Sequence, residues 1–421
     1  MHTMSISNIN FCAANIAAIT HDKNFAGECK ELDKVELKEG YTAFIGGQGY
    51  LPGLGIAPHN FLYNKEGELV AIDEFDEKKI NEKINYVKLS KDDVVAGAEI
   101  DCHTHGGLRA SYHDSPEKDI RLLLKELPNR GIGGVLATML PGSPEHMREQ
   151  IKVLANIMDS PDEGAAKMIG IYLEGPFMNS AKKGIHSEKT LLLPTIENWH
   201  KICPEEYEKY IKVVMIPPEL DEGFALTHYL QEREIIVTAG HSMASKKQVE
   251  ESGIKQVTHL FNAMAEFQYK EDRLSIVNAA LSNPDIMVEL IADEPHVAPS
   301  VMNMTMQIKP KDKIMLVSDS LPYAGTKDDF DLNGKQIHVD KNLVPRDERG
   351  TLAGNMKFLP DAAKILVRDT NMTLQDFIRM TNENVAKYYG VLKDFVLQIG
   401  NKPNFVIWNS KNLTIKRTFI A

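Results

Sequence analysis

Ile100-Asp101-Cys102-His103-Thr104-His105-Gly106-Gly107, following the apolar run Val94-Val95-Ala96-Gly97-Ala98, decides how the rest of the chain is read. An apolar run that ends in histidines at i and i+2 is a buried strand carrying both imidazoles to one side of its end. Strand side chains alternate with a period of two, so the pair shares a face. Imidazole is a common ligand for zinc and similar metals, and the Gly-Gly that follows lets the backbone turn close to a site. Taken alone, His-x-His also suits ordinary polar residues at a strand end; its meaning comes from what lies further along.

From about residue 96, apolar strands alternate with amphipathic helical stretches. With Val94 to His103 as the first, the expected strands are 133–138, 168–174, 211–216, 235–239, 256–259, 287–293 and 313–319. Asp119 to Leu127, Ser143 to Ile157 and Ser245 to Ser252 read as helices between them. Eight such units over roughly 270 residues match a TIM barrel, the (β/α)8 member of the α/β class.

The flanks differ in texture. Short segments at Tyr41–Ile45, Glu68–Ile72 and Asn85–Leu89 sit between Gly, Asn and Asp turn signals, and Phe405–Trp408 and Leu413–Ile415 do so near the other end. The expected organisation is therefore a barrel over 96–379 and a small discontinuous β-sandwich domain from 1–95 and 380–421. The Gly-rich stretch Gly46 to Gly55 is followed by no Lys-Ser/Thr and no helix start, so it reads as a loop rather than a phosphate cradle.

Composition excludes several partners. A formal net charge of −11 with no dense Lys/Arg run argues against nucleic acid. No apolar run reaches the length of a membrane span, and the patch Phe11 to Ile19 lacks the basic flank of a signal peptide. Cys12, Cys29, Cys102 and Cys203 are widely spaced, with neither a zinc-ribbon nor a disulfide pattern, which fits a reducing cytoplasm.

In a TIM barrel the chemistry gathers at the C-terminal ends of the strands. His103 and His105 end the first strand and Glu174 the third; His241 follows the fifth and His259 the sixth. Asp293 and His296 follow the seventh and Asp319 the eighth. Histidines and carboxylates at so many strand ends form a shell suited to a divalent metal. Glu174, His241 and His259 can supply three protein ligands and leave a position for water, whose pKa then falls from about 15.7 toward about 7. Asp319 is placed to take the proton of that water and deliver it to a leaving amine. His103 and His105 either complete this site or bind a second ion. Zinc is the first expectation, with iron, manganese and cobalt as alternatives.

This ordered set resembles the amidohydrolase superfamily, and within it the N-acetylglucosamine-6-phosphate deacetylases. The resemblance runs from about Val94 to Phe405. It is carried by His-x-His-Gly-Gly, Leu173-Glu174-Gly175-Pro176-Phe177, Lys182-Lys183-Gly184-Ile185-His186 and Thr238-Ala239-Gly240-His241. Thr258-His259-Leu260-Phe261-Asn262-Ala263-Met264, Ile291-Ala292-Asp293 with His296, Leu316-Val317-Ser318-Asp319 and Gly350-Thr351-Leu352-Ala353-Gly354 complete it. The resemblance implies a metal-dependent deacetylase, usually a homodimer, acting on a small amino sugar. It implies Glu174, His241 and His259 as metal ligands and Asp319 as catalytic acid/base. It implies His186 as a histidine holding the substrate, Asn262 and Ala263 as contacts to the sugar phosphate, and His296 as a further substrate contact. With His103 and His105 retained, the resemblance is compatible with one ion or two.

Where the family has a phosphate-binding arginine, this chain reads Ala265-Glu266-Phe267-Gln268-Tyr269-Lys270-Glu271-Asp272-Arg273-Leu274. Lys270 and Arg273 are the cations available there, while Glu266 or Glu271 near a phosphate would repel it. The expected reaction is conversion of N-acetylglucosamine 6-phosphate to glucosamine 6-phosphate and acetate. The rival is the same chemistry on another small amide (an unphosphorylated amino sugar, an N-acyl amino acid, a cyclic amide) or a deamination.

Overall fold

The computed structural model describes residues 35–81, 83–332 and 334–420; the apolar patch at Phe11–Ile19, with Cys12 and Cys29, lies outside them. Its centre is an eight-stranded parallel sheet with helices on the connections. In chain order the strands are Glu99–Thr104, Ile132–Met139, Lys167–Leu173, Ile211–Met215, Ile236–Ala239, Gln256–Val257, Met287–Ile291 and Ile314–Val317. Sequential strands are neighbours throughout. The first and last meet through a parallel bridge between Thr104 and Ser320, with the Asp319 N–H donating to His103 O at 2.9 Å and the His105 N–H to Ser320 O at 2.8 Å. That seam turns the sheet into a TIM-like barrel and places His103, His105 and Asp319 side by side at its mouth.

The strands are buried on both faces, which is why they read as continuous apolar runs. Between them, helices begin where the sequence supplies caps. Ser143 accepts a hydrogen bond from the His146 N–H, and Pro144 opens the helix Pro144–Asp159, whose Met147, Ile151 and Leu154 face the sheet. At the opposite end of the barrel, Val385, Ala386, Tyr389 and Phe395 pack with Ile100, Leu136, Val213 and Met315, closing the barrel floor. The boundary expected at residue 380 falls inside this helical run, and the terminal strands begin only at Phe405.

Strands from both ends of the chain form the small β-sandwich. Thr42–Leu51, Gly55–Tyr63, Leu69–Ile72, Asn85–Lys88 and Asp93–Gly97 join Phe405–Asn409 and Thr414–Phe419 in one seven-stranded sheet. Tyr63, Phe405 and Phe419 stack in its core, with ring centroids 4.9 and 4.5 Å apart.

Two expectations are corrected. Val94 to His103 is not one strand: Asp93–Gly97 pairs antiparallel with Phe405–Asn409 in the terminal sheet, and Glu99–Thr104 starts the barrel. The break comes at Gly97, where a Cβ would lie 1.9 Å from Phe395 O and where Asn382 Nδ2 donates to Ala98 O at 2.7 Å. An apolar run crosses from one sheet to the other without a turn signal. The Gly46–Gly55 stretch is likewise not a loop but the body of a β-hairpin. Gly47 and Gly49 sit in it because Leu89 and Phe61 cross over them, at 2.8 and 2.2 Å from where a Cβ would stand.

After the last barrel strand comes a three-stranded antiparallel sheet, Phe330–Leu332, Lys335–Val339 and Pro345–Asp347. Its Phe330, Leu332 and Ile337 pack with Leu140, Ile185 and Leu321, so it leans over the barrel mouth.

Candidate active site

Three of the site residues occupy the same position relative to their strands. His241, His259 and Asp319 each lie two residues beyond a strand end, and each has a left-handed backbone, with φ of 44°, 27° and 50°. Non-glycine residues adopt this conformation at a cost of about 1–3 kcal/mol, and it is retained where the surroundings demand it. Here it swings each side chain over the barrel axis.

The side chains converge on Glu174, which follows the third strand and is buried. Glu174 Oε1 lies 2.8 Å from His259 Nε2, 3.2 Å from His241 Nε2 and 3.6 Å from His103 Nε2. Glu174 Oε2 is 3.2 Å from His105 Nε2, and Asp319 Oδ1 is 3.0 Å from the same nitrogen. Two sets have their ligand atoms within 4.8 Å of one another: Glu174 with His241 and His259, and His103 with His105 and Asp319.

The far nitrogens of three rings are committed to acceptors. His241 Nδ1 donates to Lys182 O at 2.7 Å, His105 Nδ1 to Thr138 O at 3.2 Å, and His103 Nδ1 to Glu289 Oε2 at 2.9 Å. With the proton on Nδ1, a neutral imidazole turns the bare lone pair of Nε2 toward carboxylate oxygens. Lone pair against anion is repulsive unless positive charge lies between them. Among the described residues, His103 Nε2 is moreover buried without any hydrogen-bond partner. The donor set therefore fits one or two divalent cations.

The electrostatics show the same demand for positive charge, which protons on the rings meet where no cation lies between them and the carboxylates. Burial alone would lower the His105 pKa, yet the hydrogen bonds to Asp319 and Glu174 carry it up to about 9. Burial would raise the carboxyl pKa values, but His105 and the charge of His103 hold Asp319 down at about 2, and the four histidines hold Glu174 well below the ordinary range. The cluster attracts cations and keeps its carboxylates ionised. His186 behaves oppositely: burial pushes it down to about 3, so it is a neutral imidazole at physiological pH, with Nε2 3.9 Å from Glu174 Oε2.

Above the cluster lies a cleft of ≈ 380 Å³, of a size that takes a small ligand. His186, Asn262, Ala263 and His296 line it beside His105, Glu174, His241, His259 and Asp319. His103 lies beneath, fully buried. Lys270 and Arg273 do not line it; both are exposed, as are Glu266 and Glu271, so none of the four reaches the cleft.

Two residues escaped the sequence reading. Glu289, in the middle of the seventh strand, is fully buried and accepts from His103 Nδ1, from Gln256 Nε2 at 2.6 Å and from the His259 N–H at 3.3 Å. A lone carboxylate inside Met287-Val288-Glu289-Leu290-Ile291 was the available signal. Arg346, from the three-stranded sheet, lines the cleft opposite no sequence cue of its own.

No family model matches the chain. Among curated proteins it is 29% identical over 347 residues to the N-acetylglucosamine-6-phosphate deacetylase of Bacillus subtilis (strain 168), covering 80% of this chain and 86% of that one. It is 26% identical over 303 residues to the N-acetylgalactosamine-6-phosphate deacetylase of Escherichia coli O157:H7, covering 71% and 79%. Among solved structures, the N-acetylglucosamine-6-phosphate deacetylase of Thermotoga maritima superposes with a TM-score of 0.77 at 25% identity, over 90% of this chain and 98% of that one. These relatives are deacetylases of amino-sugar 6-phosphates, members of the amidohydrolase superfamily.

Proposed function

We propose that this chain is a metal-dependent hydrolase that converts N-acetylglucosamine 6-phosphate to glucosamine 6-phosphate and acetate. The observation that carries the reading is the pair of ligand sets sharing one cleft floor, with histidine Nε2 atoms turned on Glu174 and Asp319. The relatives supply the substrate class.

Glu174, His241 and His259 would hold one divalent ion, zinc first, with His103, His105 and Asp319 completing the site or holding a second. Such an ion polarises an amide carbonyl and makes water acidic enough to lose a proton near neutral pH. Asp319, ionised and oriented by His105, accepts the proton of the attacking water at a carboxylate oxygen. It returns that proton to the amine nitrogen as the C–N bond breaks. His186, neutral and facing the cleft, donates to the carbonyl oxygen as charge grows there, and its burial excludes competing water. Asn262, Ala263 and His296 hold the sugar.

We also read the protein as a cytoplasmic homodimer. Met243, Phe267 and Tyr269 are exposed apolar side chains beside the site loops, which supports a second copy covering them. No helix among the described residues is long and apolar enough to cross a membrane.

The test is acetate release from N-acetylglucosamine 6-phosphate, with unphosphorylated N-acetylglucosamine alongside. Preference for the phosphorylated sugar is expected. A fully metal-loaded protein that deacetylates neither refutes the substrate assignment.

A further inference from the structure

The deacetylase reading leaves open which group of this chain meets the anionic end of the substrate. Of the residues lining the cleft, Arg346 is the one lysine or arginine among the described residues. Its backbone is held by pairing with His338 on one side and a bridge to Leu352 on the other. Strand alternation buries Pro345 and Asp347 and leaves the Arg346 side chain on the opposite face, toward the cleft.

The guanidinium is largely uncommitted. Arg346 Nη1 donates to Gly350 O at 2.9 Å, and no carboxylate among the described residues lies within ion-pair distance of it. Asp340 feels its charge, but Asp340 Oδ1 is occupied by the N–H groups of Asn342 and Val344 at 2.8 and 2.9 Å. Arg349, three residues on, is paired with Asp347 instead.

Arg346 also shares the cleft with His296. Both oxygens of Asp293 accept from His296 Nδ1, at 3.0 and 2.8 Å, which fixes a proton there and turns Nε2 toward the cleft. Against the effect of burial, Asp293 also raises the pKa of the ring, and in the protonated form Nε2–H is a second donor. The two groups are close enough that the charge of Arg346 opposes protonation of His296. A guanidinium with no carboxylate at ion-pair distance among the described residues, sharing the cleft with an imidazole whose Nδ1 is already taken, makes a place for a ligand anion.

We infer that Arg346 is the specificity-determining residue of this deacetylase, reading the phosphate of an amino-sugar 6-phosphate from the chain's own three-stranded sheet. The inference rests on the deacetylase reading and replaces Lys270 and Arg273 as the phosphate ligands. A guanidinium matches a phosphate with two parallel N–H···O bonds, which an ammonium at the same position does not reproduce.

The test compares wild type with Arg346→Met, Arg346→Lys, Arg349→Met, Lys270→Met and Arg273→Met. Binding of glucosamine 6-phosphate to the metal-loaded protein is measured by calorimetry, with kcat and KM for phosphorylated and unphosphorylated N-acetylglucosamine. For Arg346→Met, about a 10- to 100-fold weaker binding of glucosamine 6-phosphate is expected. The preference for phosphorylated substrate falls by the same factor, through KM. Arg346→Lys recovers part of the loss, and Arg349→Met, which removes the same charge outside the cleft, shifts neither readout. Wild-type binding by Arg346→Met, or a loss confined to Lys270→Met or Arg273→Met, overturns the inference while leaving the deacetylase reading intact. A wild-type protein that binds no glucosamine 6-phosphate and cleaves neither sugar overturns both.

Discussion

Replacing Glu289 tests whether the barrel interior tunes the metal site from below. Glu289 Oε2 accepts from His103 Nδ1–H at 2.9 Å and from the His259 N–H at 3.3 Å, while Oε1 accepts from Gln256 Nε2 at 2.6 Å. The carboxylate thus fixes the proton of His103 on Nδ1 and leaves Nε2 bare toward Glu174 and Asp319. In Glu289→Gln the amide oxygen can still face His103, because Gln256 can turn its own amide to meet the new NH2, but the acceptor is no longer charged. In Glu289→Ala the acceptor is gone, and the proton of His103 is free to move to Nε2, where it blocks ligation. Loss of such a supporting carboxylate typically weakens metal binding about 10- to 100-fold, with Gln at the lower end and Ala at the upper. Each donor left unsatisfied in the Ala variant adds about 1–3 kcal/mol of destabilisation. Metal affinity would be read by competition with a chelator, folding by thermal melting, and the His103 tautomer by 15N NMR. Graded loss of affinity with a shift of the His103 proton supports the reasoning. Wild-type affinity in both folded variants refutes it.

Asp319→Asn is expected to lower kcat by about 10²- to 10⁴-fold, with metal retained by Glu174, His241 and His259; acetate release and metal analysis on one sample check it. Gly354 has φ +79° and its Cβ would stand 2.9 Å from Asp319 O, so Gly354→Ala should both strain the backbone and displace Asp319. A stability loss exceeding about 1 kcal/mol and a fall in kcat are expected, by melting and steady-state assay. Burial raises the Glu99 pKa to about 8, its hydrogen bond from Trp408 Nε1 opposing this only in part. The folded state therefore keeps a proton that the unfolded chain releases near pH 4.5, so this group's contribution is fully present below that pH. It is lost as pH rises toward about 8, by up to about 1.4 kcal/mol per pH unit. Glu99→Gln should flatten that slope in denaturant titrations between pH 5 and pH 8; an unchanged slope assigns it elsewhere.

The barrel was legible because its strands are buried on both faces and so appear as apolar runs, and because histidines and carboxylates recur at or just beyond their ends. The flanking architecture was less so. Gly46 to Gly55 carries a turn composition, yet its glycines serve close strand packing against Leu89 and Phe61 rather than a loop. The sheet after Asp319 is built from strands of three to five residues, too short for periodicity to register. Between its first two strands, Asn333-Gly334 was the remaining cue, a dipeptide common in tight hairpins. In the site, the strand-end residues announce themselves by type and spacing. Glu289 and Arg346 do not: one is hidden inside an apolar strand, and the other gains its meaning only from tertiary placement over the cleft.

The central claim, metal-dependent deacetylation at the Glu174 cluster, is tested most directly by one titration. The protein is stripped with chelator, reloaded stepwise with zinc, and assayed at each step for acetate released from N-acetylglucosamine 6-phosphate and for metal bound per chain. Activity that is absent without metal and rises with occupancy of one or two ions per chain is the predicted result. Undiminished activity in stripped protein, or no acetate from fully loaded protein, contradicts the account.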